Sequence, residues 1–116
     1  MHMPPVSTFH DAGGYYATLA HETIHWTGHE SRLDRFKKGR DREAYAREEL
    51  VAEVGACMTC LALGLIPDFG QSGAYIEGWL KALHDDKKFI FSAASAAQKA
   101  VDYITAPNKF QQREAA

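Results

Sequence analysis

Cysteine is nearly absent from this chain: Cys57 and Cys60 are its two residues of that type. One such pair cannot build a disulfide framework, and a zinc ribbon would need a second C-x-x-C. The pair falls inside a helical pattern rather than at a strand-to-helix turn, so two small core residues is the favoured reading. Few cysteines suit a reducing compartment, and the expected location is cytoplasmic. No apolar run approaches the ~18–20 residues that cross a bilayer, and the N-terminus lacks the apolar stretch of a signal peptide. No membrane partner is expected. Neither charge sign dominates, with 13 Lys and Arg against 15 Asp and Glu and a net charge of -2. That balance does not favour nucleic-acid binding. The pair Gly13-Gly14 is no phosphate-binding fingerprint, because it lacks a preceding strand and the remaining glycines.

What remains is an ordinary globular composition, 46% hydrophobic and 24% charged over 116 residues. One domain with one core is expected at this length. The divisions are an extended lead-in over 1–10, a domain over 11–106 and a flexible polar tail over 107–116. Met1-His2-Met3 resembles a cloning remnant, so the chain is expected to be a piece of something longer. The fold class is mainly α, with at most one short strand near the N-terminus.

Four helices are predicted. The first runs from about Gly14 to Thr27, capped by Asp11 and stopped by Gly28, with Tyr15, Tyr16, Leu19 and Thr23 at helical spacing. Residues 29–42 are polar and read as a loop, with a turn near Leu33 and Phe36. Six basic residues in 32–42 against Asp34 and Asp41 make a local excess of +4, read as a solvated loop. Asp41 starts the second helix, which runs to about Leu63 and is ended by Gly64 and Pro67. A third opens near Ser72 with Ile76, Trp79, Leu80 and Leu83 as its core stripe. His84-Asp85-Asp86 breaks the chain, and either Asp can cap a fourth helix to about Ile104. Phe89, Ala93, Ala97, Val101 and Ile104 form its inward face, and Pro107 closes it.

His21-Glu22-Thr23-Ile24-His25 is an H-E-x-x-H motif inside the first helix. Residues four apart stack one turn above the other, so both imidazoles can reach one ion. Glu22 is rotated about 100° from His21, which suits a base acting on metal-bound water. With six His and eight Glu in the chain, chance would produce the motif in only about two of a hundred such sequences. A hydrolytic zinc keeps three protein ligands and an open position. A third His six positions after His25 would meet one known pattern, but that position is Ser31. His29 follows Gly28, beyond the expected helix end, and ranks below a carboxylate. The second helix offers Glu48, Glu49 and Glu53. Glu49 and Glu53 share a face, which can supply one carboxylate to the metal and one to the second nitrogen of a histidine. The order matches H-E-x-x-H followed by E-x-x-x-D/E, as in gluzincins. Glu49 is read as the ligand and Glu53 as its outer partner, with the reverse assignment left open.

The segments HETIHWTGHESRLDR and AYAREELVAEVGACMTCLALGL are more specific than a generic zinc motif. Together with Met3-Pro4-Pro5, Tyr15-Tyr16 and YIEGWLKALHDDKKFIFSAASAAQKAVDYI, they resemble the ArdC-type antirestriction proteins over nearly the whole chain. The C-terminal part of those proteins is a zincin-like metallopeptidase domain, shared with polyvalent proteins of plasmids and phages. The resemblance implies His21 and His25 as metal ligands, Glu22 as catalytic base and EELVAE as the source of the third ligand. It also implies an N-terminal module, not evident in this chain, that binds single-stranded DNA. Trp26-Thr27-Gly28-His29 matches a family signature whose chemical role does not follow from the sequence.

Two functions compete. The first is a Zn2+-dependent peptidase acting on a peptide or protein substrate, with Glu22 activating a zinc-bound water. The second is a non-proteolytic module that protects DNA by binding DNA or a restriction enzyme. There a structural zinc would be closed by a fourth ligand, His29 or Glu53.

Overall fold

The computed structural model describes residues 3–9, 12–36, 41–84 and 86–106. Four helices carry the fold: α1, Ala12–Thr27; α2, Arg42–Ala62; α3, Phe69–Ala82; and α4, Lys88–Thr105. A 3-10 turn over Val6–Thr8 precedes them, and no strand occurs among the described residues. The mainly α expectation stands without the optional strand. The expectations for Asp11 as a cap, for an Asp85 cap and for the tail beyond 106 fall outside the described residues.

Helix α2 is the central element and packs against the other three. Its start follows the local rule, since the Asp41 carboxylate accepts the backbone N–H of Ala44 at 2.7 Å. Its end is a Schellman turn. Gly64 takes φ 75°, Leu65 N–H reaches Cys60 O at 2.8 Å, and Gly64 N–H reaches Leu61 O at 3.2 Å. Helix α3 begins three residues before the expected Ser72, because the Asp68 carboxylate caps the N–H of Gln71 at 3.0 Å. Glycines at 70 and 73 obscure the helical pattern there without breaking it.

The core is assembled around α2 from Leu50, Val51 and Ala52, with Ile24 of α1, Leu83 after α3, and Ala93, Ala97, Ala100 and Val101 of α4. The alanines of α4 let it lie close against α2, while Phe89 and Ile104 pack at the margins. On α1 the buried positions are Ala20, Ile24 and Thr27 rather than the tyrosines. Cys60 is buried and Cys57 half-buried, both as free thiols.

The approach of α1 to α2 depends on Gly55. A Cβ there would stand 2.9 Å from both Cδ1 and Cγ1 of Ile24, and Ile24 is fully buried with nowhere to retreat. Gly55→Ala therefore destabilises the fold despite alanine's higher helix propensity, a gain of about 1 kcal/mol offset by about 1–3 kcal/mol of overpacking. Adding Ile24→Val should recover part of the loss, because the two side chains share one space. Denaturant midpoints of the two single variants and the double variant check this non-additivity.

Candidate metal centre

The histidines project from the C-terminal half of α1 and the glutamates from the first half and middle of α2, where the two helices touch. Nε2 of His21 lies 3.3 Å from Glu49 Oε2, and Nε2 of His25 lies 3.1 Å from Glu49 Oε1. The two Nε2 atoms face each other at 3.1 Å. Donor atoms of His21, His25 and Glu49 all fall within 4.8 Å of one another, so one ion could accept all three.

Each ring has a carboxylate behind it. His21 Nδ1 faces Glu53 Oε1 at 3.0 Å, and His25 Nδ1 faces Glu48 Oε1 at 3.2 Å. Such contacts set which nitrogen carries hydrogen and leave the other lone pair for a metal. In the sequence Glu48 is one of three clustered glutamates, and nothing nearby in the chain marks its partner. Arg35 grips Glu48 at both oxygens, Nε to Oε2 at 3.0 Å and Nη2 to Oε1 at 2.7 Å. The other expected candidate, His29, is exposed beyond the helix and pairs its Nδ1 with Ser31 Oγ at 2.8 Å. The structure does not bring it to the three converging donors.

The electrostatics follow from this crowding. Burial works against charge on His21, yet hydrogen bonds to Glu49 and Glu53 outweigh it and raise its pKa to about 10. Burial likewise opposes charge on His25, while Glu48 and Glu49 raise it to about 9. Hydrogen bonds from His21 and His25 pull Glu49 down to about 2. Glu48 is also lowered, its burial overcome by His25 and Arg35. Because the facing Nε2 atoms are 3.1 Å apart, only one of them can hold the proton between them.

Glu22, next to His21 on α1, is half-buried and makes no hydrogen bond or ion pair among the described residues, and its charge is felt at the Tyr45 phenol. Tyr45, one turn before Glu49, has its phenol pKa raised by the Glu49 charge, with smaller contributions from burial and a hydrogen bond to Glu49. Its ring meets Trp79 edge-on at 5.5 Å. His21, Glu49 and Glu53 line one wall of a cavity of about 720 Å³, and Phe9, Tyr75 and Trp79 also border it. Tyr75 and Trp79 thus face the same space as the donors. His84 is exposed and ends α3 with φ 60°.

A helix presenting His-Glu-x-x-His against a glutamate on a second helix defines the zincin class of metal centre. The chain belongs to the zincin-like metallopeptidase family, whose model matches residues 1–96. It is similar to the DNA primase TraC of Escherichia coli, 44% identical over 115 residues, covering 98% of this chain and 11% of TraC. It is also 42% identical to the uncharacterized protein y4eC of Sinorhizobium fredii, covering 96% of this chain and 37% of that one. Among solved structures it is similar to the antirestriction protein ArdC of plasmid R388 in a Mn(II)-bound crystal structure. The identity is 67% and the TM-score 0.71, covering 88% of this chain and 38% of ArdC. The metal-free ArdC structure matches with a TM-score of 0.70. The chain thus spans a minor part of each relative. No helix among the described residues is long and apolar enough to cross a membrane.

Proposed function

We propose that this chain is a metal-dependent peptidase domain holding one Zn2+ on His21, His25 and Glu49. The observation that carries the reading is the convergence of those three donors, with Glu22 the next residue after His21 on the same helix. Two imidazoles, one carboxylate and an open fourth position are the donor set of a hydrolytic zinc. Bound there, the metal would lower the pKa of a water toward ~7 and polarise a carbonyl. Glu22 would serve as the general base, taking a proton from the attacking water and returning it to the leaving amine. Glu53 and Glu48 hold the histidine rings, and the adjoining cavity receives the peptide. The relative ArdC is described with Mn(II), and the same nitrogen and oxygen donors accept either ion. The rival reading, a zinc closed by a fourth protein ligand, is less well supported because His29 pairs with Ser31 and Glu53 pairs with the far nitrogen of His21. On this proposal the substrate is a peptide or protein, and single-stranded DNA is bound by a module other than this one.

The test pairs metal content with peptide hydrolysis. One zinc per chain and cleavage abolished by a chelator and restored by zinc are expected. Stoichiometric zinc with no cleavage of any peptide library would favour the rival module. The affinity should also depend on pH. A metal ion must displace the one proton shared by the facing Nε2 atoms, and the carboxylates around the pair hold it well above the usual histidine range. Raised pKa values mean that the competing proton is fully present at pH 6 and is lost as pH climbs through 9. Zinc affinity therefore rises about tenfold per pH unit from 6 to 8, one proton released per metal. A chelator-competition titration at each pH reads the slope.

A further inference from the structure

We propose that Arg35 is a positioning residue for the metal: it holds Glu48 against His25 Nδ1 and thereby aims His25 Nε2 at the site. The proposal rests on the metal reading for its consequence but not for its geometry. Arg35 comes from the polar segment after α1, yet its guanidinium is largely covered and every branch is engaged. Nε and Nη2 donate to the two Glu48 oxygens, at 3.0 and 2.7 Å. Nη1 donates to Thr27 Oγ1 at 2.7 Å, and Nη2 also donates to the backbone carbonyl of Ile24 at 2.6 Å. One planar group therefore ties the last turn of α1 to the carboxylate that His25 faces on α2. A bidentate arginine fixes a carboxylate in position and in rotation, which an ammonium on a flexible stem does not.

The two histidines differ in this respect. His21 is backed by Glu53, which has no lysine or arginine partner among the described residues. His25 is backed by a carboxylate that is itself clamped. The neighbouring residues serve the clamp. Thr27 is fully buried, donates to Ile24 O at 2.6 Å and accepts from Arg35. At Gly28 a Cβ would stand 2.6 Å from Phe36 Cζ and 3.0 Å from Arg35 Nη2. Arg35 N–H closes the turn on Gly28 O at 2.9 Å. Arg32 covers the ring of Trp26 at 3.9 Å and donates to its carbonyl. The Trp26-Thr27-Gly28 run and the two arginines thus form one folded strap whose output is the placement of Glu48.

The test uses Arg35→Met, Arg35→Lys and Glu48→Gln, with two readouts. The first is solvent exchange of the His25 Nδ1 proton, followed by nitrogen-15 NMR with and without zinc. The second is the zinc dissociation constant. Arg35→Met should speed exchange at His25 while leaving the His21 Nδ1 proton unchanged, and should weaken zinc by about 10–100-fold. Arg35→Lys should recover only part of both effects. Unchanged exchange at His25 in a folded Arg35→Met protein, or equal changes at His21 and His25, would overturn the proposal. If Arg35→Met fails to fold, Glu48→Gln decides. It keeps the shape and must show the same selective effect on His25, and its absence overturns the proposal equally. Should the unaltered protein bind no zinc, the metal reading fails, and proton exchange still decides the role of Arg35.

Discussion

Glu22→Gln should keep one zinc per chain and lose peptide hydrolysis by a factor of about 10²–10⁴, the usual contribution of a positioned general base. The substitution preserves size and a hydrogen-bond acceptor but removes the ability to take a proton. Its effect on the metal should be small, because the three converging donors are His21, His25 and Glu49 and do not include Glu22. Its effect on folding should also be small, since Glu22 makes no ion pair among the described residues. Metal content by mass spectrometry, measured on the same sample as the hydrolysis rate, separates the two consequences. Loss of zinc in the variant would assign Glu22 to the metal instead of the water, and retained hydrolysis would remove it from the mechanism.

Glu49→Ala should weaken zinc by about 10²–10³-fold or more. A structural zinc is worth roughly 10–16 kcal/mol over four ligands, or about 2.5–4 kcal/mol for each. Glu49 also sits between the two Nε2 atoms, at 3.3 and 3.1 Å, so without it the histidines face each other with no anion between them. Glu53→Ala should cost less, about 10–100-fold, because Glu53 addresses the far nitrogen of His21. The order of the two dissociation constants is the measurement that matters. A larger loss at Glu53 would make it the ligand and Glu49 the supporting carboxylate. Thermal midpoints of the metal-free variants control for folding.

Much of the helical frame is legible along the chain because it depends on neighbours in sequence. Asp41 as a cap, Gly64 as a left-handed stop and the inward alanines of α4 all act within a few residues of themselves. The same holds for His21 and His25, since four residues along a helix place both rings on one side whatever packs there. The start of α3 at Phe69 is less legible: the Asp68 cap is as local as that of Asp41, but the glycines after it weaken the apolar pattern that would mark it as a helix start. The buried stripe of α1 is likewise decided by its partners. Ile24 enters the core through the space left by Gly55, while the tyrosines stay toward the surface.

The sequence by itself determined that the chain makes four helices, that one bears H-E-x-x-H and that the next brings a cluster of glutamates. It could not decide what each glutamate does. Glu48 and Glu49 are adjacent, about 100° apart around α2. Only the rotation of α2 against α1 decides that Glu49 points between the rings while Glu48 points behind His25. That rotation is set by the packing of Ile24 on Gly55 and of Leu50 in the core, contacts between residues far apart in the chain. The role of Arg35 was hidden for the same reason. In the sequence it is one of six basic residues in a polar segment, and only the turn built by Thr27, Gly28 and Phe36 brings its guanidinium onto Glu48. Hydrophobic periodicity and capping are local and can be read in order, but the aim of a side chain across a helix interface belongs to the packed molecule.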